Sequence, residues 1–229
     1  MRSAMILAAG RGGRLGDMAK ETPKALLTVG DKKIIEYQLA ALAKAGITNV
    51  VMNTHHLADQ LQDYLGDGSQ YGVNIQYSYE PDLLGTGGGI KQALPLLGDE
   101  AFILLSADVW TDYPLEKLYL AEHKLAHLVL MDNPNYHPNG DFAITDEGLL
   151  NQDDEPKQTY ASIGVMHPDL FKDIDETNFG FIGPVLTAMK KGLVTGAYFD
   201  GHVYNTNTQE ELQALRDFIT ERETIGVQS

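Results

Sequence analysis

The sequence predicts an α/β protein built on a doubly wound, mainly parallel sheet with a small antiparallel addition. Short apolar runs alternate with helix-period segments in βαβα order over the first half of the chain. Several of these runs are apolar at every position, as buried parallel strands are. From about residue 126, strands follow one another through turn-rich connections with no helix of length between them. A length of 229 residues suits one such unit, and the whole chain, 1–229, is expected to be a single domain.

Met5–Ala9 is a fully apolar run ending at Gly10, the pattern of a central strand. Ile35, Leu39 and Leu42 mark one helix face, with Gly46 as its C-cap, and Asn49–Asn53 supplies the next strand. Leu57, Leu61 and Leu65 predict a second helix stopped at Gly66, followed by a strand at Asn74–Tyr79, a helix at Ile90–Leu97 and a buried strand at Ala101–Ser106. The segments 126–132, 140–145 and 159–165 read as the antiparallel strands. A helix over Pro184–Lys191, short strands at Leu193–Tyr198 and His202–Tyr204, and a closing helix at Gln209–Thr220 complete the chain. Residues 133–158, rich in Asn, Asp, Pro and Gly, are expected to form the loop region most open to movement.

Composition narrows the chemistry. Seventeen basic side chains against 32 acidic ones give a net charge of −15, a field that repels nucleic acid polymers and anionic membranes. With no cysteine, disulfides, thiolate catalysis, iron–sulfur clusters and cysteine-bound zinc are all excluded. The apolar stretch Ala4–Ala9 is too short for the core of a signal peptide, and no run approaches the roughly 18 apolar residues of a membrane span, so a cytoplasmic location without a membrane partner is expected. Oligomeric state is left open. Charge is nevertheless uneven: Arg2, Arg11, Arg14, Lys20, Lys24, Lys32 and Lys33 outnumber Asp17, Glu21 and Asp31 within residues 1–33, a local cationic island suited to a small polyanion.

The island surrounds Leu7-Ala8-Ala9-Gly10-Arg11-Gly12-Gly13-Arg14-Leu15-Gly16, directly after the first strand, with Thr22-Pro23-Lys24 following. A glycine-rich turn exposes successive backbone N–H groups, and two arginines and a lysine add charged donors around the same concavity, which is the equipment for binding phosphate. The spacing is neither a dinucleotide fingerprint, since Leu15 stands where glycine is needed, nor a Walker loop, since no Gly-Lys-Ser/Thr follows.

These residues carry a resemblance. LAAGRGGRL with TPKALL after it resembles the signature of the sugar-phosphate nucleotidyltransferases, and the likeness continues through Gly85-Thr86-Gly87-Gly88-Gly89, Ser106-Ala107-Asp108, Gly140-Asp141-Phe142 and Ser162-Ile163-Gly164-Val165. The segments 93–99, 108–113 and 127–134 most resemble the uridylyltransferase branch that acts on N-acetylmuramate 1-phosphate. The resemblance implies a Rossmann-like fold and a Mg²⁺-dependent reaction in which an NTP, UTP favoured, and a sugar 1-phosphate give a nucleotide sugar and pyrophosphate. It implies that Ala8, Ala9, Gly10, Arg11, Gly12, Gly13, Asn53, Gly85 and Thr86 bind the nucleotide. Arg14, Lys24 and Asp108 would carry the chemistry, Gly140, Asp141 and Ser162 would bind the sugar phosphate, and Asp108 with Asn205 would hold the metal. Residues 1–125 would then form the nucleotide-binding part and 126–229 the sugar-phosphate-binding part. A sugar phosphate is already ionised near pH 7, so no general base is required, in keeping with the lack of a Cys or His nucleophile pattern.

Three positions depart from that pattern. Val203-Tyr204-Asn205-Thr206-Asn207-Thr208 stands where a V-D-V-G-T-like segment is usual, so Asn205 replaces an acid; the nearest upstream acid, Asp200, falls on the opposite face of a strand. Gly16-Asp17 replaces Arg-Pro, and Phe179-Gly180-Phe181 stands where a lysine is common. Two alternatives therefore stand beside the main reading: a nucleotide or sugar-phosphate binding protein without turnover, and a cytidylyltransferase acting on phosphocholine. Elsewhere, His123 and His127 are expected as an exposed pair on a helix face, His55-His56 as a border of the pocket, and Asp153-Asp154-Glu155 as a solvated loop, while Trp110 suits either packing or a lid over the sugar.

Overall fold

A computed structural model describes residues 3–224 and 226. Arg2, counted above in the basic island, lies outside the described residues. Strand β1 (Ser3–Leu7) leads through the glycine loop to a short helix, α1 (Met18–Glu21), and a small ribbon, β2 (Thr28–Val29) with β3 (Lys32–Lys33). Helix α2 (Ile34–Lys44), β4 (Asn49–Thr54), α3 (Ala58–Leu65), β5 (Asn74–Tyr79), α4 (Gly85–Leu97) and β6 (Phe102–Ser106) continue the alternation. Next come β7 (Val109–Thr111), β8 (Ala126–Met131), β9 (Ala143–Ile144), β10 (Leu150–Asn151) and β11 (Thr159–Met166). Helix α5 (Ile182–Met189), β12 (Val194–Tyr198), β13 (Val203–Asn205) and α6 (Gln209–Thr224) close the chain.

Seven strands form one sheet in the order β12-β8-β11-β6-β1-β4-β5. Strands β6, β1, β4 and β5 are mutually parallel, as expected. The antiparallel character comes from β11, which runs against both β6 and β8, and from three separate two-stranded ribbons. β12 is parallel to β8 and so restores the parallel pattern at the far edge. Within 140–145 only Ala143–Ile144 pairs as a strand, with β10, and the 133–158 stretch therefore contains this ribbon as well as loop.

Alternation along the strands divides the core between the two faces. Ala4, Ile6, Val50 and Met52 face α2 and α3 through Ile35, Leu39, Leu42, Leu61 and Leu65. Met5, Val51, Phe102 and Leu104 face α4 and α5 through Ile90, Ala93, Val185 and Ala188. Each fully buried Leu or Ile in these layers contributes about 1.5–3 kcal/mol. A third cluster joins Leu15 and Ala19 of the glycine loop region to Trp110 and to Leu212, Leu215 and Ile219 of α6. Leu15, at the position that broke the dinucleotide pattern, is thus the apolar anchor of the loop.

Two expectations are corrected here. The helix expected to begin at Ile90 begins at Gly85, so the glycine run forms its first turns. His123 and His127 do not share a helix face: His127 lies on β8, 5% exposed, with Nδ1 2.9 Å from Thr195 Oγ1, and burial holds its pKa below the ordinary value. A spacing of four residues puts side chains together only on a helix, and here the apolar run Ala126–Met131 takes the strand geometry. Trp110, 3% exposed, packs edge-on to Tyr37, Tyr204 and Phe218 and is a core residue. Asp153-Asp154-Glu155 is an exposed loop. No helix among the described residues is long and apolar enough to cross a membrane.

Candidate active site

From β1 the chain steps outward to β4 and β5, then returns to the opposite side of β1 at β6. Beyond the carboxyl ends of the strands on either side of such a reversal, a crevice opens. Here it is a cavity of ≈ 280 Å³ lined by Leu7, Ala8, Ala9 and Gly10 after β1, Lys24, Asn53 of β4, Glu80 after β5, Gly85 and Thr86 of α4, and Ser106, Ala107 and Asp108 after β6. Strand ends and the loops behind them thus bring together residues spread over a hundred positions of sequence.

The floor is tied by a buried chain of hydrogen bonds. Ala8 N–H donates to Asn53 Oδ1 at 2.9 Å, and Asn53 Nδ2 donates to Glu80 Oε1 at 2.7 Å. Glu80 Oε2 accepts from Leu84 N–H at 3.1 Å, ahead of α4. Glu80 is 1% exposed, so this carboxylate replaces water as the acceptor for both donors. His55, at the end of β4, meets Glu80 O through Nδ1 at 2.8 Å and Arg11 through Nε2 at 3.3 Å, which places it at the pocket border.

Opposite this chain stands the charged wall. Lys24 Nζ donates to Asp108 Oδ2 at 3.1 Å and to Asn207 Oδ1 at 2.9 Å. Arg14 NH2 donates to the same Asn207 oxygen at 2.9 Å. Gly12, at φ +66°, lies in the left-handed region where a side chain is strained, and a Cβ there would sit 2.7 Å from Ala19 Cβ and 3.1 Å from Lys24 Cε. The glycine lets the loop pass close over the lysine. Asp108 is fixed through its backbone, since its carbonyl accepts from Thr206 N–H at 2.9 Å and Thr206 Oγ1 at 3.0 Å.

A second cavity of ≈ 210 Å³ adjoins the first, sharing Leu7, Thr86 and Ser106 and adding Leu104, Asp141, Tyr160, Ser162, Phe181 and Ile182. Ser162 has φ +59° at the register shift between β11 and β8, a bulge that re-aims its side chain. Asp141 Oδ2 accepts from Tyr160 N–H at 2.8 Å, and its Oδ1 lies 3.0 Å from His137 Nε2. Burial pushes the Tyr160 phenol up, so it stays protonated and able to donate. Gly140 lies outside the lining: at φ +63°, a Cβ would meet Lys157 O at 2.7 Å, and the close approach delivers Asp141.

Residues 177–181 lie across the start of α4, with Phe181 reaching the second cavity. Gly87 N–H and Gly88 N–H donate to Phe179 O at 2.9 and 3.2 Å, Phe179 N–H donates to Leu84 O at 3.0 Å, and Phe181 N–H donates to Thr86 Oγ1 at 3.1 Å. A Cβ on Gly87 would overlap the Phe179 ring and one on Gly88 would overlap Thr177 O. The glycine run is a seat for this strap, which caps helix N–H groups that otherwise lack partners.

Of the residues expected from sequence, Ala8, Ala9, Gly10, Lys24, Asn53, Gly85, Thr86 and Asp108 line the first cavity, and Asp141 and Ser162 the second. Arg14 joins the charged wall through Asn207, Gly13 begins the 3₁₀ turn that carries Arg14, and Arg11 reaches His55. Asn205 stands on β13, paired with Val109, with Nδ2 3.4 Å from Tyr136 Oη. Glu80 and Asn207 were missed. The signal for Glu80 was an acid at the end of a strand just before a glycine run; Asn207 carried none, because its partners lie 183 and 193 positions away.

No cluster of three or more His, Cys, Asp or Glu suited to a metal occurs among the described residues. The Asp108 carboxylate at the wall nevertheless fits Mg²⁺, which takes few protein ligands when phosphate oxygens and water complete its shell; Asn205, the other ligand expected from sequence, lines neither cavity.

A loop, lysine and carboxylate converging at the carboxyl ends of parallel strands define an enzyme that handles phosphate on a doubly wound sheet. Residues 3–145 match the family described as nucleotidyl transferase, and the chain belongs to that family, among the sugar-phosphate nucleotidyltransferases. It is 40% identical over 224 residues, covering 93% of this chain and 97% of the relative, to an N-acetylmuramate alpha-1-phosphate uridylyltransferase of Neisseria meningitidis serogroup B. It is 29% identical to a D-glycero-alpha-D-manno-heptose 1-phosphate guanylyltransferase of Campylobacter jejuni, over 91% of this chain and 96% of the relative. Among solved structures, a UDP-glucose pyrophosphorylase complexed with UDP-glucose shares the fold with a TM-score of 0.78 at 19% identity, over 97% of this chain and 99% of the other. HddC from Yersinia pseudotuberculosis complexed with GMP-PN shares it with a TM-score of 0.77 at 18% identity, over 96% and 100%.

Proposed function

We propose that the chain joins UTP to an amino-sugar 1-phosphate, N-acetylmuramate 1-phosphate first among candidates, and releases pyrophosphate. The observation that carries this reading is the pair of adjoining cavities meeting at Leu7, Thr86 and Ser106, one walled by Lys24 and Asp108 and the other by Asp141, Tyr160 and Ser162. A nucleotide in the first and a sugar phosphate in the second bring the acceptor's phosphate oxygen to the α-phosphorus. The 40% identity with the Neisseria uridylyltransferase supports the choice of base and sugar.

In the reaction, a sugar phosphate oxygen forms a bond to the α-phosphorus in line with the bond to the bridging oxygen that breaks, and pyrophosphate leaves with that electron pair. The backbone of Gly10–Gly13 and Arg14 hold the triphosphate, and Lys24 spans the attacking and transferring phosphates. Ala8, Ala9, Asn53, Gly85 and Thr86 shape the nucleotide's seat, and Asp141 and Ser162 that of the sugar phosphate. Asp108, with Asn205, would hold Mg²⁺, which when bound neutralises phosphate charge. Catalysis then rests on positioning and on charge placed where it develops. Residues 1–125 serve as the nucleotide part and 126–229 as the sugar-phosphate part, at work in the cytoplasm where NTPs are made.

Pyrophosphate release from a panel of NTPs and sugar 1-phosphates, with Mg²⁺ or Mn²⁺, tests the proposal. UTP with N-acetylmuramate 1-phosphate is expected to give the highest kcat/KM. Release with phosphocholine and CTP instead would overturn the choice of acceptor, and nucleotide binding without release from any pair would overturn turnover itself.

A further inference from the structure

We propose that Asn207 is a positioning residue for nucleotidyl transfer, holding Lys24 and Arg14 in register through one uncharged oxygen. The inference rests on the reading that these two cations face the triphosphate. Asn207 Oδ1 accepts from Lys24 Nζ and from Arg14 NH2, each at 2.9 Å, so two like charges converge on a single carbonyl dipole. The amide oxygen offsets their repulsion locally and leaves their full charge available to phosphate. A carboxylate in the same place would hold them as well and cancel part of that charge.

Its backbone is fixed from both sides. Thr206, fully buried, donates twice to Asp108 O, which clamps the residue before Asn207 to the carboxylate's own main chain. On the other side, Glu211 Oε2 accepts from Asn207 N–H at 2.8 Å and Thr208 N–H at 2.9 Å, while Glu211 N–H donates to Thr208 Oγ1 at 3.2 Å. This is a capping box at the start of α6, and Leu212, Leu215 and Ile219 anchor that helix in the core beside Leu15. Helix α6 therefore sets where the amide oxygen stands, and that oxygen sets where the two cations stand. Asp108 supplies the other acceptor for Lys24; an ion drawn to Asp108 competes for it, and Asn207 is then the remaining anchor. The V-D-V-G-T-like pattern has glycine at this place, so the device belongs to this chain and not to the pattern.

The test compares Asn207→Ala and Asn207→Asp with the parent, measuring kcat, KM for UTP, calorimetric binding of UTP with Mg²⁺, and melting temperature. Asn207→Ala frees both cations and is expected to lower kcat on the order of 10–100-fold. Asn207→Asp keeps the acceptor and is expected to hold kcat within a few-fold while weakening UTP binding about tenfold. Both are expected to melt with the parent, since the capping box uses only the backbone of residue 207. Parent-like kcat and KM in Asn207→Ala, or equal losses in both variants with a fall in melting temperature, would overturn the proposal. A parent that releases no pyrophosphate would overturn the transfer reading instead, and the binding measurement would still decide: Asn207→Asp binding UTP as tightly as the parent refutes the role of the neutral oxygen.

Discussion

Replacing Glu80 tests whether the buried hydrogen-bond chain under the first cavity is structural and functional at once. The side chain is 1% exposed and accepts from Asn53 Nδ2 at 2.7 Å and from Leu84 N–H at 3.1 Å. Glu80→Ala leaves the buried Asn53 amide and the part-buried Leu84 N–H without their acceptor, at up to about 1–3 kcal/mol each, a loss of roughly 2–6 kcal/mol from a total stability on the order of 5–15 kcal/mol. At about 2–4 °C per kcal/mol for a chain of this size, the melting temperature should fall by roughly 5–20 °C. Glu80→Gln is the gentler change: its carbonyl satisfies one donor while its NH₂ opposes the other, so a loss of about 1–3 kcal/mol is expected. Because Asn53 also accepts from Ala8 N–H, both variants should raise KM for the NTP. Gly89→Ala offers an independent route to the same defect, since a Cβ there would sit 2.8 Å from Asn53 Nδ2. Thermal and urea melts of the three variants, with KM measured alongside, carry the test. If Glu80→Ala melts within about 2 °C of the parent, the two donors are satisfied in some other way and the reasoning fails.

Lys24→Ala and Asp108→Ala should each lower kcat on the order of 10²–10³-fold, read from initial rates at saturating substrate; near-normal turnover in Asp108→Ala at ordinary Mg²⁺ would show the metal assigned to the wrong place. Asn205→Asp should lower, and Asn205→Ala raise, the Mg²⁺ concentration for half-maximal rate, as a carboxylate is gained or an amide oxygen lost. Gly87→Ala drives a Cβ into the Phe179 ring and should cost about 1–3 kcal/mol while raising KM for the sugar phosphate more than for the NTP, separable by varying each substrate in turn. Burial alone would raise the Asp112 carboxyl, but the His202 N–H and ring and the Arg222 guanidinium outweigh it and hold its pKa below the ordinary value. Its contribution to stability is thus complete above the unfolded carboxylate pKa of about 3.9 and is lost as pH falls through the lower folded value. Melting curves across that range should show a steeper acid loss in the parent than in Asp112→Asn.

Patterns that repeat locally were legible in the sequence. The fully apolar run Met5–Ala9, the spacing of Ile35, Leu39 and Leu42, and the turn signals at Gly46 and Gly66 announced the parallel half of the sheet, because unbroken apolar runs and a 3.6-residue period are written along the chain. The glycine loop, Lys24 and Asp108 were legible too, as residue types with a chemistry of their own. Element ends were less so: β1 stops at Leu7, two residues early, since Ala8 N–H turns to Asn53. The glycines of 85–89 fell ahead of the helix expected from Ile90, yet they start α4, because the surface that requires them is the 177–181 strap.

Sequence by itself determined the fold class, the order of the main strands and helices along the chain and the presence of a glycine-rich loop after the first strand, all consequences of neighbouring residues acting on one another. Tertiary structure alone decided that Glu80 ties Asn53 to the start of α4 and that Asn207 gathers Lys24 and Arg14. It also decided that His127 is a buried strand residue and that Ser162 turns at a bulge beside the second cavity. Each of these depends on a partner far away in sequence, and a hydrogen bond or a shared cavity wall leaves no period in the chain that makes it.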